Sequence, residues 1–184
     1  GAAGGLNVTL KALLDPGDEV IILAPFFVEY KFYIDNHGGV SRVVSTDDNF
    51  DLNFEAIAAA LNEKTKAIII NSPNNPSGMV FPEAFIQEIV EFCESKGIYL
   101  IMDDIYHRLL FESSQWVPGY VFTSNPINKS HLIIINGISK SYGMTGFRIG
   151  WTIGPDIIIQ AMNKFQSHST SGVSDLLQEA ALGA

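Results

Sequence analysis

A mostly parallel central sheet with helices on both faces, an α/β architecture, is what this sequence of 184 residues predicts. Three observations lead there. Runs such as residues 66–71, 98–102 and 132–135 are almost continuously apolar, the composition of strands buried on both faces; a strand with one wet face would alternate. Between two of these runs, residues 82–96 read as a helix, with Pro82 in the first turn, apolar Phe85, Ile86, Ile89, Phe92 and Cys93, and Gly97 as the stop. It has the place of a crossover covering the sheet. Each apolar run also delivers polar residues at its end, where open α/β sheets hold their ligands.

Composition narrows the function. The length suits one domain, residues 1–184, and 47% hydrophobic with 17% charged residues describes a compact, soluble chain. A formal net charge of −9 argues against nucleic acid or an anionic membrane as partner, since both need clustered Lys and Arg. The single cysteine, Cys93, falls on the apolar face of the expected helix and reads as a core residue. The opening G-A-A-G-G-L has no charged region ahead of an apolar core, and no run reaches membrane-spanning length. Neither a signal peptide nor an anchor is expected, and a cytoplasmic location is inferred. No metal site is expected.

Taken in order, residues 1–14 read as a helix with Leu6, Val8, Leu10, Leu13 and Leu14 apolar, stopped by Asp15-Pro16-Gly17-Asp18. Free N–H groups at its start make Ala2 and Ala3 candidates to hold an anion, and a frayed end reads equally well. Residues 19–24 form a strand, then Pro25-Phe26-Phe27 turns the chain into a helix; Phe26 suits the core, and Phe27 could lie flat on a planar heterocycle. A short strand over 40–44, a polar loop over 45–49 and a helix over 51–61, with Leu52, Ile57 and Leu61 apolar, come next. The strand 66–71 runs into a dense cluster of turn formers through Gly78, in which Pro76 keeps Asn75 extended. The strand 98–102 delivers Asp103 and Asp104, an acidic pair that standing alone more often starts a helix. A loop spans 111–129, a return strand is expected over 148–154, a helix over 156–165, and a last helix begins near Ser174.

The strand 131–135 feeds Lys140, and a lysine desolvated at a strand end would lose part of its preference for the ammonium form, normally held with a pKa of about 10.4. It would then serve as a nucleophile toward a carbonyl. Arg148 offers a planar fork of donors that suits a phosphate. As a lone pair, these cations also describe a solvated loop.

The segment S-K-S-Y-G-M-T-G-F-R-I-G-W, residues 139–151, resembles the cofactor-lysine segment of the class I and II aminotransferases, the pyridoxal-phosphate enzymes of the aspartate aminotransferase fold. N-N-P-S-G, residues 74–78, is similar to the family's Asn-Pro-Thr/Ser-Gly signature, and Asp103-Asp104-Ile105-Tyr106 keeps its Asp-x-x-Tyr spacing. G-A-A-G-G-L followed by D-P-G-D-E-V keeps the pattern of its phosphate turn.

The resemblance implies that Lys140 bonds the aldehyde of pyridoxal 5'-phosphate and later moves the substrate's α-proton, while Arg148, Ala2 and Ala3 hold the phosphate. It implies further that Asp103 accepts a hydrogen bond from the ring nitrogen, that Asn75 and Tyr106 meet the phenolic oxygen, and that Phe27 stacks on the ring. Asp104 is expected to be a turn or cap residue. Many members carry a hydroxyl residue three positions before the lysine; this chain has Gly137 there, and Ser139 is expected to replace it. The implied activity is transfer of an amino group from an amino acid to a 2-oxo acid, in a homodimer. Family chains are longer, with an N-terminal arm and a C-terminal small domain, so residues 1–184 are expected to be the large, cofactor-binding domain alone. Another pyridoxal-phosphate reaction, of the β-lyase or aminocyclopropane-carboxylate-synthase kind, and a catalytically inert scaffold or dimer-contact fragment stand as alternatives.

Overall fold

The computed structural model describes residues 1–46, 53–111 and 114–184. Helix α1 (Ala2–Leu13) leads to β1 (Glu19–Ala24), α2 (Glu29–Asn36) and β2 (Val40–Ser45). Helix α3 (Phe54–Ala60), β3 (Thr65–Asn71), α4 (Glu83–Lys96) and β4 (Tyr99–Asp103) follow. After a long connection come β5 (Leu132–Gly137), the single turn α5 (Ile138–Ser141), β6 (Gly150–Ile153), α6 (Asp156–Ser169) and α7 (Asp175–Leu182). The six strands make one sheet in the order β2-β1-β3-β4-β5-β6, parallel throughout except that β6 runs antiparallel to β5.

Alternation along the strands sorts the core into two layers. Val20, Ile22, Ile69, Ile101, Ile133 and Ile135 face α1, α2 and α6. Ile21, Leu23, Ile68, Ile70, Leu100, Met102 and Ile134 face α3 and α4. Both sets are almost fully buried, which is why these strands read as unbroken apolar runs. Gly97 ends α4 in the left-handed region at φ 67°, where glycine carries no Cβ penalty. Cys93 is buried in the second layer, and burial pushes its thiol up, as befits a core residue.

Some boundaries differ from expectation. The helix expected over 51–61 spans Phe54–Ala60, because Asn53 closes its start by accepting a hydrogen bond from the Ala56 N–H at 3.0 Å. Its expected first residues, with Leu52, and most of the expected 45–49 loop lie outside the described residues. The return strand is shorter than 148–154, since Arg148 adopts φ 55° and cannot join a ladder. Helix α6 continues to Ser169, with Ile158 and Met162 packed under α1.

Register sets the site. Asn71, Asp103 and Ile135 stand side by side across β3, β4 and β5, so the three chains leave the sheet at one level. Helix α1 reaches the same level because Gly150 lets it approach: a Cβ there would lie 2.7 Å from Ala2 N, Asn136 O and Gly1 C. No helix among the described residues is long and apolar enough to cross a membrane.

At the opposite end of the sheet, the buried Glu19 carboxylate accepts hydrogen bonds from Arg42 at 2.8 and 2.9 Å and from Asn62 Nδ2 at 2.8 Å. These bonds to Arg42 and Asn62 hold it down to about 2. A depressed carboxyl stabilises the fold above its unfolded value of about 4.3 and loses that contribution as pH falls through the folded value. Glu19→Gln is therefore expected to flatten the loss of stability between pH 4.5 and 2 in urea melts, with little change in slope above pH 6.

Candidate active site

The ends of β3, β4 and β5 and the start of α1 enclose a cavity of about 310 Å³. That size is in the range of small-ligand sites, about 300–1,000 Å³. Ala2, Ala3, Phe27, Asn75, Asp103, Tyr106, Ser139, Lys140 and Arg148 all line it. Nine residues spread from α1 to the turn before β6 thus share one space.

One end of the cavity is built for an anion. Helix α1 has no side-chain cap, so the first N–H groups, at the cavity-lining Ala2 and Ala3, are left without a side-chain partner, with the helix dipole behind them. The Arg148 guanidinium lies against the same turn, its Nη2 3.2 Å from where a Cβ on Gly1 would stand. Arg148 Nη1 donates to Thr145 O at 2.8 Å, which holds the fork in place. Its left-handed backbone costs about 1–2 kcal/mol for a residue with a Cβ, strain of the kind that gathers at functional turns. Buried Ser139 also lines the cavity.

Asp103 forms the other end. It is the last residue of β4 and only 4% exposed. Tyr30, from α2, donates its hydroxyl to Asp103 Oδ2 at 2.7 Å, and the Ile105 N–H donates to Oδ1 at 3.4 Å. Burial pushes the carboxyl up to about 6, against the pull of the Tyr30 and Ile105 donors and the Lys140 charge. It is mostly ionised at neutral pH, a buried acceptor ready for a cationic N–H. Burial and Asp103 together raise the Tyr30 hydroxyl well above its usual value, so Tyr30 keeps its proton and donates.

Between the two ends, Asn71 ties the strands together. Its Nδ2 donates to Asp103 O at 2.6 Å, and its Oδ1 accepts from the Asn75 N–H at 2.8 Å. Asn75 Nδ2 in turn reaches the Tyr106 hydroxyl at 3.3 Å, so the two side chains expected to meet one oxygen already meet each other. Lys140 Nζ stands 5.6 Å from the centre of the Tyr106 ring. Phe27 packs edge-to-face on Tyr30, ring centres 5.6 Å apart, and is half-buried on the cavity wall.

One expectation needs correction. Lys140 is not desolvated: the strand ends at Gly137 and the turn α5 buries Ile138 and Ser139 while carrying Lys140 to the exposed mouth. Asp104 opens a turn, as expected, its carbonyl accepting from the His107 N–H at 3.1 Å, and its side chain is buried. Burial and the neighbouring Asp103 raise its carboxyl to about 8.

Gly137, where a hydroxyl residue would be usual, has no room for one. A Cβ there would lie 2.7 Å from Ile149 O, backbone that cannot swing aside. Sequence reading missed Tyr30 and Asn71, and also Leu6, Ile105 and Thr145 on the cavity wall. Tyr30 follows Phe27 by one helical turn, and Asn71 ends an apolar strand, so each carried a positional signal only.

Tyr30→Phe is expected to cost about 1–3 kcal/mol, because a buried carboxylate loses a donor, and to raise the Asp103 pKa above about 6 in a carboxyl NMR titration. Asp103 and Asp104 both bind protons more tightly when folded. Their stabilisation is complete below the unfolded value of about 3.9 and is lost as pH rises through the folded values. Urea melts from pH 5 to 8 should show that decline, and Asp104→Asn should make it shallower.

The whole chain, residues 1–184, matches the family model described as aminotransferase class I and II. It is 39% identical over 186 residues to the aspartate aminotransferase of Geobacillus stearothermophilus, covering 100% of this chain and 47% of that protein. The solved aspartate aminotransferase of Thermotoga maritima superposes with a TM-score of 0.92 at 38% identity, over 99% of this chain and 48% of that one. The aromatic aminotransferase of Pyrococcus horikoshii gives 0.92 at 32% identity, over 100% and 49%. The chain thus spans about half the length of the relatives it matches. With matches of this extent and identity, the chain belongs to the class I and II aminotransferases.

Proposed function

We propose that this chain is the cofactor-binding domain of a pyridoxal-phosphate-dependent aminotransferase that moves an amino group from an amino acid to a 2-oxo acid and works as a homodimer. The observation that carries the reading is the single cavity with a lysine at its mouth, a cationic helix start at one end and a buried carboxylate at the other.

The donor set fits a phosphorylated pyridine aldehyde. Arg148, the Ala2 and Ala3 N–H groups and Ser139 would hold the phosphate, where charge-assisted hydrogen bonds and the helix dipole act together. Asp103 would accept from the ring nitrogen and keep it protonated, and Tyr30 and Asn71 hold Asp103 in place for that. Asn75 and Tyr106 would share the phenolic oxygen. Phe27 would lie on the ring face. The bound cofactor supplies an electron sink that stabilises negative charge on a substrate's α-carbon. Lys140 would hold the cofactor through its aldehyde, and its amine is the group placed to take the substrate's α-proton and return it. Its exposure at the mouth leaves that amine open to an incoming substrate.

Borohydride added after incubation with pyridoxal phosphate is expected to fix the cofactor on Lys140, read by peptide mass spectrometry. Lys140→Ala should take up no label in the cavity; the same cofactor fixed elsewhere among the lining residues would sink the assignment. Arg148→Ala should weaken cofactor binding by about tenfold to a hundredfold, as measured by equilibrium dialysis.

A further inference from the structure

Tyr106 and Lys140 belong to two segments that part at the end of the sheet. Strands β4 and β5 are paired as far as Asp103 and Ile135, and the Asp104 N–H still donates to Ile135 O at 2.9 Å. Two side-chain contacts span the gap beyond that bond. At the surface, Arg108 donates to the Tyr142 hydroxyl at 2.7 Å. Deeper in, His107 Nδ1 lies 3.1 Å from Asn136 Nδ2. Whereas Tyr106 lines the active-site cavity, His107 lines a separate one of about 480 Å³, its ring against Trp116 with centres 5.1 Å apart.

The same Nδ1 lies 2.9 Å from Asp104 O. These two contacts ask opposite things of one atom. A carbonyl only accepts, so it needs a proton on Nδ1; an amide NH2 only donates, so it needs the bare lone pair. Asn136 cannot escape by turning its amide round, because its Oδ1 accepts the Gly137 N–H at 2.7 Å and a flip would set donor against donor there. Asn136 is only 7% exposed, so little water can replace a lost partner.

We propose that His107 is a positioning residue: with Nδ1 unprotonated it accepts from Asn136 and ties the turn that carries Tyr106 to the corner that leads to Lys140. When the ring takes up its second proton, Nδ1 donates to Asp104 O instead, N–H faces N–H across the gap, and the tie opens. Histidine is the side chain that gains such a charge between about pH 5 and 8. The titratable groups around the ring are Asp104 on its own turn and Tyr120 on the β4–β5 connection; β5 and β6 present Ile134, Asn136, Trp151 and Ile153, none of which titrates. Arg108, next in the chain, is turned to Tyr142. With its carboxyl raised to about 8, Asp104 stays largely uncharged near neutral pH and lends the imidazolium little support. Any effect on cofactor binding rests on the reading above; the tie itself does not.

Long-range 1H–15N NMR of the intact chain without cofactor reads the protons on both His107 ring nitrogens from pH 5 to 8, the signals being assigned by their loss in His107→Asn. A bare Nδ1 with a proton on Nε2 is expected at pH 8, and the Asn136 amide and 13C-labelled Tyr106 ring signals should shift with the midpoint of the His107 ring. His107→Asn keeps an acceptor near the Nδ1 position without its proton, so it should abolish that component and leave any step that belongs to Asp103. A proton on Nδ1 throughout, or Tyr106 signals without the His107 midpoint, would overturn the proposal. Equilibrium dialysis with pyridoxal phosphate at pH 8 then compares the variants. His107→Phe, which keeps a ring against Trp116 and offers no acceptor, should weaken cofactor binding about twofold to tenfold, the scale of one hydrogen bond, and His107→Asn should restore it. Equal affinity in wild type and a folded His107→Phe would also count against the positioning role. Failure of every form, wild type included, to bind the cofactor would instead sink the cofactor reading, while the NMR still decides the tie.

Discussion

A carboxylate buried at the end of β4 is the group around which this structure is arranged. Taking an ionised Asp103 out of water is costly unless donors replace the lost hydration. They come from three directions: the Tyr30 hydroxyl from α2, the Ile105 N–H from the following turn, and the field of Lys140 from beyond β5. Asn71 fixes the backbone carrying it. Even so, the carboxyl is held at about 6, so part of the burial cost stays in the fold. An anion kept in a dry pocket at such expense suits a cationic partner.

Close backbone approach does the rest. Because Gly150 admits the start of α1 and Gly137 admits the Ile149 carbonyl, the helix terminus, β5 and β6 meet with no side chain between them. That meeting brings uncapped N–H groups and the Arg148 fork to within reach of one anion. It also explains why residue 137 is glycine: a side chain there would collide with the Ile149 carbonyl beside β6. The paired aspartates show how much one residue of register decides, since Asp103 and its neighbour end on opposite faces among quite different partners.

Much of this was legible before any coordinates. Unbroken apolar runs gave away the parallel strands because burial on both faces removes the need for polar alternation, and the 3.6-residue period of Ile86, Ile89 and Cys93 marked α4. The residues that line the cavity were readable because their spacings are short and lie at strand ends, where topology concentrates ligands. What escaped was tertiary. Tyr30 looks like any amphipathic helix residue until the sheet brings Asp103 to its hydroxyl, 73 positions later in the chain. The exposure of Lys140 depends on a single helical turn too short to carry a periodic signal. Arg148 breaks the return strand through a left-handed backbone that sequence patterns reserve for glycine. Trp116 sits in a connection without periodicity, so its packing against the His107 ring had no sequence signature.

The central claim is that the lysine, the carboxylate, the amide, the phenol and the guanidinium grip one phosphorylated aldehyde together. Visible-absorption titration of the chain with pyridoxal phosphate, repeated across pH, tests it most directly. The account requires a band that saturates at one cofactor per chain and shifts when an amino acid is added. A signal that climbs without saturation, as surface lysines react one after another, and that ignores added amino acids would contradict it.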